Sequence, residues 1–402
     1  MPDGIARLTT QNKFKPKFLP KSIFAGARGA GSDIMRVGAG EEVVSYSVTA
    51  TAPSGGVWAA PAFITFNNAR LRQSNTLTNS SGAGWSQINT ATGGLGVTPF
   101  VVDVSVQGKY VCFQTQSYGD GDYKILINNK HLKQSEWEHF PNTTNVWYHL
   151  IEFRDDTHHD IRFFGGTMGF ASLMCGTGTT AWPGPRRPRW LFTGDSYGQG
   201  AGGTTEGSIG AGSLPGEIAV QFGITPVNYC IGGTGHQNPG AGSGATKYGS
   251  ATRLAAYAAA TDIDCVVIIG GANDGAIGTY PVATSRTEAN ALWTALKGQR
   301  PTVPIIVMGI ESGVYPSIAA DLDTLNTGLK AEAAAHPELV DYYIDQRQGA
   351  LDDWVYGTGK LNAQDGTGNA DIFRSSDGVH PSHGGNKFVA LLAGAELKAN
   401  SM

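Results

Sequence analysis

The stretch LFTGDSYGQG, residues 191–200, runs from an apolar segment into a turn built on Gly194, Asp195 and Ser196. Leu191, Phe192 and Thr193, with Trp190 before them, read as a buried strand, and the glycines at 194, 198 and 200 end it. A serine just past a strand end stands at the edge of a sheet, where its hydroxyl can meet a substrate. The letters Gly-Asp-Ser-Tyr-Gly also spell G-x-S-x-G, so two kinds of strand-to-helix serine turn are compatible with them. The sequence on either side decides between the two.

Downstream, the pattern alternates between strand and helix. TPVNYCIGG, DCVVIIGGAND, PIIVMGI and VDYYIDQ read as strands that follow the first one. Between and after them, SLPGEIAVQFG, ATRLAAYAAA, SRTEANALWTALKG, IAADLDTLNTGLKAEAAAH and HGGNKFVALLAGAELKA read as helices. The first of these has Ser213 as N-cap, Pro215 and Glu217 in its first turn and Gly223 as C-cap. Near-continuous apolar strands alternating with helices predict a five-stranded parallel sheet covered on both faces over residues 186–402. In such sheets the site lies at the carboxyl ends of the strands.

Upstream, residues 1–40 read as a basic, Gly- and Pro-punctuated arm. Residues 41–180 hold short alternating or aromatic-rich runs, such as EEVVSYSVTA, FVVDVSVQGKYVCFQTQ, VWYHLIEF and DIRFFGG, separated by turn clusters. That pattern predicts a β-sandwich, jelly-roll-like domain. The segment GTGTTAWPGPRRPR, residues 176–189, reads as the linker or seam between the two domains.

Four blocks in the second domain carry chemistry, each just past a strand end or in a loop at that edge: Ser196, Gly233 in CIGGTG, Asn273 in GAND, and Asp377 with His380 in DGVH. A serine hydroxyl is a poor nucleophile without an adjacent base, which His380 can supply. Asp377, three residues earlier, can bind the other imidazole nitrogen and fix its tautomer. The backbone N–H groups of Ser196 and Gly233 and the amide of Asn273 are placed to receive an oxyanion.

In order and spacing, these blocks resemble the SGNH (GDSL-type) hydrolase family, over residues 186–402. The resemblance implies a flavodoxin-like three-layer αβα fold, Ser196 as nucleophile, His380 as base, Asp377 as its orienter, and Ser196, Gly233 and Asn273 as the oxyanion hole. It implies no cofactor and no metal. Tyr197 stands where the family name has leucine. Gly232 competes with Gly233 for the oxyanion role; Gly233 stands five residues after Asn228, the spacing usual in the family. An α/β-hydrolase, the other owner of G-x-S-x-G, needs strands of the same sheet before its nucleophile, and the preceding residues read instead as a separate β domain. Some family members place a β-sandwich before the hydrolase and resemble carbohydrate deacetylases. By that analogy the expected substrate is an acetylated polysaccharide, with the β domain helping to bind it. Tyr197, His236 and Asp274 are candidate substrate contacts, although a role in ordering its loop suits Asp274 better. His383 competes with His380 as base but lacks an Asp at the matching offset, and it could instead line the cleft or face solvent. A lipase or thioesterase of the same family is the alternative chemistry. A structural or attachment protein, of a phage particle or a cell-surface assembly, carrying the esterase domain is the alternative class.

Composition sets the remaining expectations. Fifty-six glycines and only 15% charged residues suit turn-rich β structure, and a net charge of −4 gives no reason to expect nucleic acid or an anionic membrane. No apolar run reaches the length of a membrane span, and the first twenty residues lack the apolar core of a signal peptide. The expected site of action is outside the producing cell, with any leader removed, or on a virion or surface, and a homo-oligomer is compatible with either. Cys112, Cys175, Cys230 and Cys265 have no metal-like spacing, and no disulfide or zinc site is expected. His158, His159 and Asp160, with Asp155 and Asp156 nearby, are expected in a solvated hairpin turn rather than around a metal.

Overall fold

The computed structural model describes residues 42–58, 62–64, 77–79, 86–88 and 100–399, apart from 118, 133–137, 144–145, 166–167, 201–211, 242–245, 277, 312–318, 348–374, 376 and 378. The arm expected over residues 1–40 lies outside them. The N-terminal region holds β1 (Val43–Thr49), β2 (Ala62–Ile64), β3 (Leu77–Asn79), β4 (Ser86–Ile88), β5 (Phe100–Gln107), β6 (Tyr110–Ser117) and β7 (Gly119–Ile127). It continues with β8 (Lys130–His131), β9 (Glu138–Thr143), β10 (Val146–Phe153), β11 (His158–Gly165), β12 (Met168–Cys175) and β13 (Thr180–Pro183). Among the described residues these strands form two antiparallel sheets. One runs β1-β10-β6-β12-β4-β3 with β2 beside β12, and the other runs β13-β5-β11-β7-β8 with β9 beside β7.

Strand alternation gives the second sheet two dissimilar faces. Val102, Val104 and Val106 of β5, Ile125 and Ile127 of β7, and Ile161 and Phe163 of β11 meet Val111, Phe113, Ile151, Phe153 and Leu173 of the first sheet in one core. The intervening residues point the other way. Of these, Val101, Leu126 and Phe164 belong to the core of the C-terminal region. On the same face, Arg162 donates to Asp103 Oδ1 at 2.8 Å, to Ala219 O at 3.2 Å and to Ile224 O at 2.6 Å. Asp103 Oδ1 also accepts from Arg187 Nε at 2.8 Å, so one carboxylate oxygen holds both guanidinium groups at the seam.

Sheet membership changes between Pro183 and Arg189. β14 (Arg189–Gly194), β15 (Thr225–Asn228), β16 (Cys265–Ile269), β17 (Ile305–Met308) and β18 (Tyr342–Ile344) form a parallel sheet in the order β15-β14-β16-β17-β18. Relative to the chain that order is 2-1-3-4-5, a doubly wound arrangement. Its helices are α1 (Ser196–Gln199), α2 (Leu214–Phe222), α3 (Ala251–Ala259), α4 (Val282–Gln299), α5 (Ala319–Ala335) and α6 (His383–Ala399). α2 packs on α6, while α4 packs on α3 and α5. Ser213 Oγ caps α2 by accepting from Gly216 N at 3.3 Å, and Gly223 ends it at φ 63° with its N–H on Ala219 O. α2 is buried at every position except Gln221, because the sheet, α6 and the N-terminal region all cover it. α4 begins at Val282, just past Pro281, three residues before the expected start.

The histidine pair departs from expectation. His158 and His159 open β11 instead of lying in a turn, and the His159 ring is buried against Phe153 with centroids 4.0 Å apart. Burial lowers the His159 pKa. No group of metal-ligating side chains occurs among the described residues. Nor is any described helix long and apolar enough to cross a membrane.

Candidate active site

Because β14, β15 and β16 are parallel, Gly194, Asn228 and Ile269 end at one edge of the sheet, and the segments after them converge there. Asp195 turns the chain from β14 into α1. Its buried carboxylate accepts from Tyr197 N at 3.0 Å and from Gly271 N at 2.8 Å, which ties the serine turn to the loop after β16. Burial raises the Asp195 pKa against those hydrogen bonds. Gly270 adopts φ 90°, and a Cβ there would fall 2.2 Å from Asp195 Oδ2, so only glycine lets the two loops meet.

Ser196 stands partly exposed at the start of α1. Its Oγ lies 2.8 Å from His380 Nε2, and His380 Nδ1 lies 2.6 Å from Asp377 Oδ2. The other Asp377 oxygen accepts from Ser375 Oγ at 2.7 Å, Val379 N at 2.8 Å and His380 N at 2.9 Å. The His380 ring, together with these donors, holds its carboxyl well below the usual carboxylate range, outweighing partial burial. An ionised Asp377 accepts the Nδ1 proton, which leaves Nε2 with a lone pair for the serine O–H. Tyr197 lies beneath this loop, with its ring 5.3 Å from that of His380 and its hydroxyl donating to Val379 O at 2.9 Å. A hydroxyl, an imidazole and a carboxylate in this sequence can perform nucleophilic acyl transfer.

The loop after β15 closes the site. Asn228 Nδ2 donates to Gly198 O at 2.8 Å, and its Oδ1 accepts from Cys230 N at 3.0 Å. Gly198 is packed on Cys230, whose Sγ lies 2.3 Å from where a Cβ would sit. That packing explains the second glycine of G-x-S-x-G without any part in the chemistry. The Gly232 N–H is engaged by Gln199 Oε1, whereas Gly233 is exposed at φ 73°. Asn273 is half-exposed beside it, its Nδ2 donating to Thr234 O at 2.9 Å.

Two of the three candidate contacts, Asp274 and His236, are buried. The Asp274 carboxylate is buried and accepts from the backbone of His236 at 2.7 Å and Asn238 at 2.8 Å, as well as from Gln237 N. His236 is 2% exposed, its ring edge-on to Tyr248 at 4.9 Å, and burial pushes its pKa down to about 3. Tyr197 is likewise buried, and its ring supports His380. All three side chains are thus buried beside the site.

Residues 192–388 match the GDSL-like lipase/acylhydrolase family. The C-terminal region is a GDSL-like lipase/acylhydrolase domain. No curated protein sequence matches the chain. Among solved structures, an active-site mutant of a family two carbohydrate esterase from Clostridium thermocellum is 13% identical, with a TM-score of 0.55 over 82% of this chain and 98% of its own. The family two carbohydrate esterase from the same organism in complex with cellohexaose is 16% identical, with a TM-score of 0.54 over 77% of this chain and 95% of its own. The salicylyl-acyltransferase SsfX3 of a tetracycline biosynthetic pathway is 12% identical, with a TM-score of 0.53 over 85% of this chain and 98% of its own. At these identities the likeness is one of fold, and it extends beyond the acylhydrolase domain into the N-terminal region.

Two parts of the acylhydrolase domain escape sequence reading. Arg253 is fully buried and donates to Thr193 Oγ1 at 2.9 Å, Gly194 O at 3.0 Å, Tyr229 O at 2.8 Å and Thr234 Oγ1 at 3.1 Å. It thereby holds together the ends of β14 and β15 under the serine turn. His383 neither lines the cleft nor faces solvent: its Nε2 lies 2.6 Å from Glu217 Oε1 at the boundary with the N-terminal region. A buried polar residue among apolar helix positions is the only trace of either in the sequence.

Proposed function

We propose that the protein is a serine esterase acting on short-chain acyl esters, most readily O-acetyl groups of a polysaccharide. The observation that carries this reading is the continuous relay from Ser196 Oγ through His380 to Asp377, at 2.8 Å and 2.6 Å. Ser196 attacks the ester carbonyl while His380 takes its proton. The tetrahedral oxyanion is met by the N–H groups of Ser196 and Gly233 and the second amide hydrogen of Asn273. Gly232 does not take part, because its N–H is engaged by Gln199. Collapse releases the alcohol with a proton from His380, and water activated by the same imidazole then frees the acid from the acyl-serine. No cofactor has a step in this scheme. The N-terminal region, read as a β-sandwich, covers α2 and helps to shape the face that meets the glycan. Two structures of a carbohydrate esterase that shares the fold along nearly its whole length support the choice of substrate.

Acetate release from an aryl acetate, acetylated xylan and longer-chain aryl esters tests the reading in wild type and Ser196→Ala. The expected result is acetate release by wild type alone, fastest with the acetyl esters. Equal inactivity of both proteins on every ester would refute the esterase, and faster cleavage of long-chain esters would replace the deacetylase with a lipase.

A further inference from the structure

Lys124 lies on the face of β7 that meets the acylhydrolase domain, opposite Phe164 of β11 in the ladder. It is fully buried, and its ammonium donates to the Glu217 carboxylate in the first turn of α2. The same Glu217 oxygen accepts from His383 Nε2 at 2.6 Å, and that nitrogen is 3.2 Å from Lys124 Nζ. Lysine is among the residues most costly to bury, and Val101, Leu126 and Phe164 share this face with it. The seam already has a polar clamp in Arg162, Arg187 and Asp103. What sets Lys124 apart is the segment it reaches.

His383 opens α6 only three residues after His380. Upstream, the His380 loop is held by Ser375, whose N–H donates to His380 O at 2.8 Å, and by the Tyr197 bond to Val379. Downstream, Ser382 Oγ accepts from Gly385 N at 3.2 Å, and Asn386 Nδ2 donates to Gly212 O at 2.9 Å. The chain from His383 through Glu217 to Lys124 is a downstream tie that leaves the domain. Without the ammonium, the Glu217 carboxylate would remain buried with His383 as its partner and would draw a proton onto one of the two groups. Either outcome changes the charge and hydrogen bonding of the group that opens α6.

We propose that Lys124 is a positioning residue for the reaction: through Glu217 and His383 it fixes the first turn of α6 and with it the ring of His380 against Ser196. The N-terminal region then belongs to the catalytic apparatus as well as to the substrate surface. This inference rests on the esterase reading of Ser196 and His380. A displacement well under an ångström in the 2.8 Å serine–imidazole contact is enough to slow proton transfer.

The test compares wild type, Lys124→Met and the control Lys130→Met, whose ion pair with Glu42 is partly exposed and lies away from this chain of contacts. For Lys124→Met, kcat on nitrophenyl acetate per folded molecule is expected to fall about tenfold or more, with KM within about twofold. The downfield proton resonance of the His380–Asp377 hydrogen bond is expected to shift or broaden. Lys130→Met should leave both readouts unchanged. A Lys124→Met protein that melts earlier but keeps wild-type kcat and resonance overturns the proposal, since Lys124 would then serve the seam alone. If Lys124→Met does not fold, Lys124→Met/Glu217→Met carries the same comparison without a buried unpaired charge. Should wild type hydrolyse no ester, the esterase reading fails, and the resonance, which needs no substrate, still decides whether Lys124 positions His380.

Discussion

Replacing Asp377 with asparagine changes one atom and forces a definite rearrangement. One carboxylate oxygen accepts three hydrogen bonds, from Ser375 Oγ, Val379 N and His380 N, and the other faces His380 Nδ1. The oxygen of the new amide must keep the three donors, because turning the NH2 group toward them would leave all three without an acceptor. The NH2 group therefore faces Nδ1, which now has to accept, and the imidazole proton moves to Nε2. In that tautomer the ring cannot take the proton of Ser196. Restoring the reactive tautomer costs about 1 kcal/mol for the lost hydrogen bond. The imidazolium also loses its carboxylate partner, a loss of about 4 kcal/mol at a charge separation near 4 Å with an effective dielectric of 20. The Asp377 side chain is 39% exposed, so solvent screening cuts that loss to about 2 kcal/mol. The sum, about 3 kcal/mol, corresponds to a loss of about a hundredfold or somewhat more in kcat. The assay is steady-state hydrolysis of nitrophenyl acetate by Asp377→Asn, with KM and far-UV circular dichroism expected to stay near wild type. A variant that retains kcat within about threefold refutes the tautomer argument.

Other substitutions address the frame. Gly198→Ala sets a methyl against Cys230 Sγ beside the nucleophile and should cost about 1–3 kcal/mol of stability by denaturant titration. Adding Cys230→Ala should recover part of that loss, and strict additivity of the two would contradict the packing explanation. Arg162→Met removes the donor to the last turn of α2 while Arg187 still pairs Asp103. The expected loss is about 2–4 kcal/mol in chemical denaturation, and no loss would show that the seam does not depend on this clamp. Glu217 is held well below the usual carboxylate range by Lys124 and His383, against the opposing effect of burial. Its stabilising contribution is therefore complete above the unfolded value of about 4.3 and is lost as pH falls below it. Melting temperature followed from pH 6 to pH 3 should drop more steeply in wild type than in Glu217→Gln, and parallel curves would contradict that ion-pairing.

What the sequence discloses here is what is local. Ser213 and Gly223 announce the ends of α2 because each acts on the backbone within four residues. The strands from β14 to β18 are legible because burial on both faces makes them continuously apolar. The proximity of Asp377 to His380 needs only one turn of loop. The histidine pair at 158–159 misleads for the opposite reason: polarity suggests a turn, yet β11 buries the His159 ring against Phe153 of the other sheet. Arg253 and Lys124 are silent because their partners lie far along the chain, Gly194 being 59 residues from Arg253 and His383 being 259 from Lys124. The contact between Gln199 and the Gly232 N–H, which supports the choice of Gly233, is not one that a spacing rule reveals.

The central claim is that Ser196 becomes covalently acylated with the help of His380. Peptide-resolved mass spectrometry after brief exposure to nitrophenyl acetate, quenched in acid, or to a fluorophosphonate, measures this directly. The expected adduct sits on Ser196, forms at least about a hundredfold more slowly in Asp377→Asn by the same argument, and is absent in Ser196→Ala. An adduct on another residue, or hydrolysis that persists in Ser196→Ala, would contradict the account.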